Sequence, residues 1–212
     1  MADLAPLLAA ERRAMADLAE DLGDAELATA SLCAGWTTRD VIAHLTLSVD
    51  PSVRRTIAAL ARSGFRPPRM VQLLTAAAAE RSDAELAGLL RDRAEHRWSP
   101  PGFGLEAPLT DILVHGVDIR LPLGRVHEPV PAALRAALDF AGGPKSSRGS
   151  FFTRRSHQKG LRFEATDLEW SHGEGPTVRG PALPLLVALC GRPAVLDQLE
   201  GDGVAVLRSR LV

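Results

Sequence analysis

Apolar positions recur with helical spacing through roughly the first two-thirds of the chain and then give way to alternation. Leu4, Leu7, Leu8, Met15, Leu18 and Leu22 fall on one face among charged residues, which predicts a helix over residues 2–22 with Gly23 as its stop. Thr37 and Asp40 have the form of a capping box and open a long helix expected to run to Arg62, with His44 two turns inside it. Arg66-Pro67-Pro68 breaks that pattern, a third helix is expected over residues 69–80, and Ser82 with Glu85 caps a fourth that ends near His96. The Pro- and Gly-rich residues 98–104 are a loop. Helices follow over residues 108–121, which carry Asp111, His115 and Asp118, and over residues 131–140.

Beyond Gly142-Gly143-Pro144 the period changes. Residues 161–170 and 204–211 alternate as strands do, residues 175–180 suit a short strand, and residues 181–190 and 193–199 suit helices. A helical block followed by strand, strand, helix and strand predicts an α+β chain: a helical bundle over residues 1–143 and a small α+β domain over residues 150–212, with the boundary between Ala141 and Ser150.

The 46% apolar content supports a real core and argues against disorder. The longest apolar stretch, Leu183 to Cys190, is too short to span a bilayer, and residues 1–20 carry acids and arginines throughout, so neither a membrane span nor a signal peptide is expected. A net charge of −1, with arginines interleaved among acids, argues against a nucleic-acid partner. Two distant cysteines, Cys33 and Cys190, form no CxxC pair, which fits a reducing cytoplasm. Lysine is confined to Lys145 and Lys159 while arginine and alanine abound, as in proteins of GC-rich genomes.

Residues four apart on a helix share a face, so Asp111 and His115 can aim two donor atoms at one point. With His44 from another helix they make two imidazoles and a carboxylate, a set that zinc-like ions accept while keeping coordination positions open. Spacing alone leaves the plainer roles open: Asp111 as a first-turn acid favoured by the helix dipole, and His115 hydrogen-bonded in the core.

The run from Leu32 to Leu45, with Cys33, Gly35, Trp36, Asp40, Val41, Ala43 and His44 in place, resembles the CxGWxxxDVxAHL signature of the maleylpyruvate isomerase family within the DinB-like superfamily of metalloenzymes. Ile112 to Ile119 resembles that family's second histidine motif, ExxxHGxD, and Leu186 to Arg192 and Leu199 to Gly203 resemble its C-terminal LLxxLxGR and GD elements. The matches keep the family's order over nearly the whole chain. The resemblance implies a DinB-like four-helix bundle whose divalent metal, usually zinc, is held at His44, Asp111 and His115, and a C-terminal arginine, here Arg192, facing the site as a catalytic residue that could hold a carboxylate substrate. It also implies mycothiol as a thiol cofactor, activated for cis–trans isomerisation or for transfer to a small electrophilic or carboxylate substrate. The alternative is a non-catalytic binding or regulatory protein on the same fold. Asp111 stands where the family pattern carries glutamate, which sets its carboxylate about 1.5 Å nearer the backbone.

Other residues take structural roles in this reading. Asp40 is a cap, Trp36 a loop anchor and Cys190 core; Cys33 is read as packing rather than as a nucleophile, having no histidine nearby in sequence. Asp118, one turn beyond His115, could orient an imidazole, but an ion pair with Arg120 or Arg39 is the favoured reading, and Arg192 in its plainer role would satisfy helix-end carbonyls. His96, His127 and His172 have no evident partners. Substrate and oligomeric state stay open, a homodimer included.

Overall fold

The computed structural model describes residues 3–147 and 153–211, so the Ser150 end of the expected domain boundary lies outside the described residues. By their contacts the residues form two compact units, one made of Met1–Ser99 with His115–His127, the other of Pro100–Val114 with Glu128–Val212.

In the first unit α1 (Ala5–Asp21) packs along α6 (Asp83–Asp92), and α3 (Thr38–Leu45) rests on α5 (Pro67–Ala78) and α6. The short α2 (Asp24–Leu27) precedes α3, and α4 (Val53–Arg62) packs on α5. Leu8, Met15, Val41, Ile42, Leu86, Leu90 and Ile119 are buried, the last from the C-terminal part of α7 (Glu106–Arg120). α7 approaches α1 at Gly116, where a Cβ would stand 3.7 Å from Met15 Cε, an ordinary contact distance.

The helix expected to run from Thr37 to Arg62 is two helices. After α3 a 3-10 turn covers Thr46–Ser48, and α4 begins afresh with Ser52 Oγ accepting from the Arg55 amide at 3.3 Å. Pro51 explains the break, because proline has no amide to donate and disfavours helical backbone at Asp50.

The second unit carries a three-stranded sheet in the order β2-β1-β3. β1 (Arg162–Ala165) pairs antiparallel with β2 (Ser171–Gly173), Phe163 opposite His172, and parallel with β3 (Thr177–Gly180), Phe163 opposite Val178. α8 (Pro131–Gly142) packs on α10 (Ala182–Leu189), and α11 (Gly203–Leu211) against the short α9 (Arg155–Gln158) and β3, with a 3-10 turn over Pro193–Gln198. Phe163, Val178 and the Leu185–Leu189 stretch are buried.

Two expectations for this region change. Residues 204–211 are helical, not a strand: the outer edge of β3 is already taken by a bridge between Arg179 and Glu200, and the chain turns away at Gly201 (φ 104°) before burying Gly203 and Leu207, four apart on one helix face. The partition by contacts also differs from a cut between residues 143 and 150, because α8 buries Ala133, Ala137 and Leu138 in the unit that holds α10. The composition shift at Gly142 marks where strands begin, and packing does not follow it.

Arg12 ties together the parts of the first unit that set the height of α3. It is 1% exposed and donates to the carbonyls of Ala94 (2.9 Å) and His96 (2.6 Å) and to Ser48 Oγ (3.2 Å), just beyond α3. Burial pulls its guanidinium down to about 10. Arg12→Ala is expected to cost about 3 kcal/mol in urea unfolding, since it strands buried carbonyls.

Candidate metal centre

The capping box predicted at the start of α3 is present: Thr37 N donates to Asp40 Oδ2 at 2.9 Å, and Asp40 N donates to Thr37 Oγ1 at 3.2 Å. It fixes where the helix begins and therefore where His44, one turn past Asp40, stands. His44 is half-buried, its ring 5.2 Å from Trp36 and 4.9 Å from His115, edge-on to the latter. His44 Nδ1 lies 3.3 Å from Oγ1 of Thr75, which α5 buries to 2% exposure.

Asp111 and His115 sit one turn apart on α7, as the spacing requires. One donor atom from each of His44, Asp111 and His115 lies within 4.8 Å of the others. A tetrahedral ion with bonds of about 2.1 Å holds its donors roughly 3.4 Å apart, so small side-chain adjustments would close this set on a metal. Two imidazoles and a carboxylate are also the donor chemistry that zinc accepts, and the residues present fit the ion.

The structure reassigns two residues. Asp118 is wholly buried and accepts from His115 Nδ1 at 2.8 Å, the Cys33 thiol donating to the same carboxylate oxygen at 3.1 Å. The two arginines considered for Asp118 have other partners: Arg39 goes to Asp83 and to the carbonyls of Ala79 and Arg81, and Arg120 NH1 to the Gly116 carbonyl at 3.5 Å. Cys33 is no mere packing residue, with Sγ 3.5 Å from His115 Nδ1. Its loop turns back at Gly35 (φ 79°) and is pinned to α7 by the Leu32 amide donating to the Asp118 carbonyl at 3.0 Å. Cys33 and His115 are 82 residues apart, so nearness in sequence carried no signal of this contact. The HxxD spacing on α7 already allows the imidazole-orienting role for Asp118, because residues three apart on a helix are neighbours.

Cys33, His115 and Asp118 form a second group of converging donors. It shares His115 with the first, and its contacts to that ring are made at Nδ1. A carboxylate holding Nδ1 fixes the tautomer and presents Nε2, the arrangement found behind metal-bound histidines, so Asp118 and Cys33 serve as the backing of His115. Thr75 Oγ1 meets Nδ1 of His44, where a hydroxyl can either accept or donate.

Arg192, in the second unit, donates from NH1 to the Cys190 carbonyl at 2.8 Å, as its plainer role anticipates. Elsewhere His127 is not partnerless, its Nε2 lying 2.7 Å from Glu11 Oε2.

The sequence profile of the mycothiol maleylpyruvate isomerase N-terminal domain matches residues 8–120, more than half of the chain. The chain belongs to the mycothiol maleylpyruvate isomerase family. Among solved structures the chain is similar to a mycothiol-dependent maleylpyruvate isomerase, at 17% identity and a TM-score of 0.55, covering 95% of this chain and 96% of the other. A histidine-to-alanine mutant of a mycothiol-dependent maleylpyruvate isomerase aligns with 16% identity, a TM-score of 0.54 and the same coverage. At such identities the likeness is one of fold. Among curated proteins none matches the sequence. The matched span includes Cys33, His44, Thr75, Asp111, His115 and Asp118.

Asp118→Asn is expected to weaken divalent-metal affinity by about 10- to 100-fold in a chelator-competition titration, because the amide no longer fixes the His115 tautomer. Cys33→Ala, which removes only a weak thiol donor, is expected to weaken it less.

Proposed function

We propose that this protein is a metal- and mycothiol-dependent enzyme that uses an activated thiol for cis–trans isomerisation of a small unsaturated acid, or for thiol transfer to a small electrophile. The observation that carries the reading is the convergence of His44, Asp111 and His115 within a family built around such chemistry. When bound, zinc or a similar divalent ion supplies Lewis acidity that keeps a thiol deprotonated near neutral pH, and mycothiol supplies the sulfur.

The chain's own residues do the rest. His44 and His115 would hold the ion: the Asp118 carboxylate accepts from Nδ1 of His115 and leaves its Nε2 for a metal, and Thr75 Oγ1 lies 3.3 Å from Nδ1 of His44. Turning either ring would break a hydrogen bond, a buried one for His115 and a part-buried one for His44. Asp111 would contribute negative charge that offsets part of the ion's, and the Trp36 ring lies tilted 5.2 Å from that of His44. Arg192 is assigned to a substrate carboxylate, for which a planar guanidinium offers two parallel donors.

Metal content by mass spectrometry tests the reading. Wild-type protein is expected to hold near-stoichiometric zinc, lost in His44→Ala and in His115→Ala, and to isomerise maleylpyruvate only when mycothiol is added. Wild type that takes up no divalent ion would move the assignment to a non-catalytic binding protein on this fold. Arg192→Ala is expected to raise KM for a carboxylate substrate by about 10-fold or more while leaving metal content unchanged.

A further inference from the structure

The chain's overall charge of −1 conceals a local excess of the opposite sign. Between Asp50 and Glu80 there is no acid, and there are five arginines: Arg54, Arg55, Arg62, Arg66 and Arg69. The expectation that arginines alternate with acids fails over this stretch. Arg55 pairs with Asp50 at 2.8 Å; among the described residues the other four make no ion pair.

The same segment exposes large apolar side chains. Val53 is 76% exposed and Ile57 63%, and with Ala61 they fall four apart along α4 and form one row on its surface. Arg54 and Arg62, eight apart with Ala58 between them, form the adjoining row. Past the end of α4, Phe65 is 75% exposed and held in left-handed backbone (φ 59°), a conformation that costs a bulky residue free energy. It is held there firmly: its amide donates to the Leu60 carbonyl at 2.9 Å, and the Arg66 amide donates to Ser63 Oγ at 3.1 Å. Arg62, Arg66 and Arg69 surround this aromatic in sequence.

We propose that the α4–α5 hairpin is a docking surface for an anionic lipid membrane, along which α4 lies while Phe65 enters the headgroup region. A helix with an apolar row bordered by arginines, next to an exposed aromatic at a turn, matches the two-layered chemistry of that surface: phosphates outside and acyl chains beneath. A second copy of the chain fits poorly, since a two-fold contact would set arginines against arginines. A nucleic-acid backbone would satisfy the arginines but leave Val53 and Ile57 facing water or phosphate. The sequence suggests no membrane partner, on the ground that it holds no spanning segment, and this surface departs from that expectation although among the described residues no helix is long and apolar enough to cross a bilayer. Peripheral attachment needs none.

Vesicle co-sedimentation of the full chain tests the proposal, with phosphatidylcholine vesicles compared with vesicles containing about one-third phosphatidylglycerol. Binding is expected only to the anionic vesicles and is expected to fall in high salt. The triple variant Arg54→Gln, Arg62→Gln, Arg69→Gln is expected to lose about 100-fold in partitioning, near fivefold per arginine. Phe65→Ser is expected to lose about 10-fold with charge unchanged. All substituted positions are exposed, and unchanged circular dichroism and Tm separate loss of binding from loss of fold. Absence of binding to anionic vesicles, equal binding to both vesicle types, or undiminished binding by the triple variant would each overturn the proposal. So would binding to polyglutamate or duplex DNA without binding to vesicles, which would assign the surface to an acidic macromolecule instead.

Discussion

The hydrogen bond between His115 Nδ1 and the wholly buried carboxylate of Asp118 is the constraint around which the candidate centre is organised. A carboxylate without solvent needs donors, and among them are the imidazole on its own helix and the Cys33 thiol on a distant loop. Burying the charge is costly unless both donors stay in place. The same contacts therefore serve two ends: they hold the 31–36 loop against α7, and they settle which nitrogen His115 can offer to an ion. Because that loop leads directly into the capping box of α3, the position of His44 is set by the same anchoring.

Asp111 brings a short carboxylate side chain to the two imidazoles. One methylene less would leave a carboxylate short of the imidazoles if the helices kept a fixed spacing, yet its oxygen lies within 4.8 Å of donor atoms on both His44 and His115. His44 is backed in turn by Thr75, a buried hydroxyl on α5, so each imidazole is steadied by a different kind of partner: a neutral hydroxyl for one and a carboxylate for the other. A carboxylate makes its histidine the more basic ligand.

Charge is distributed unevenly in a chain that is nearly neutral. Asp50, at the start of the acid-free segment, is engaged by Arg55, Arg81 and Arg93 at 2.7 to 3.0 Å, and these contacts hold its carboxyl below the usual range although burial opposes them. The arginines farther along α4 and its turn have no such counterpart. Exposed arginine beside exposed valine, isoleucine and phenylalanine adds nothing to the folding of the hairpin, so recognition accounts for them better than stability does.

The sequence by itself determined what depends on near neighbours. Capping boxes at Thr37 and Ser82, the helical stretches through Gly142, and the placement of Asp111 and His115 on one face follow from periodicity and from contacts three or four residues apart. The order of motifs was enough to indicate the family, and His44 entered the candidate set through them. Contacts between distant residues were decided only by the tertiary structure. Cys33 meets His115 across 82 residues, Thr75 reaches His44 across 31, and α8 joins α10 rather than the helices before it. Residues 204–211 alternate like a strand, but the edge they would have joined was occupied by Glu200, so burial of Gly203 and Leu207 made them a helix. Local pattern states which faces must be covered, and only the assembled chain supplies what covers them.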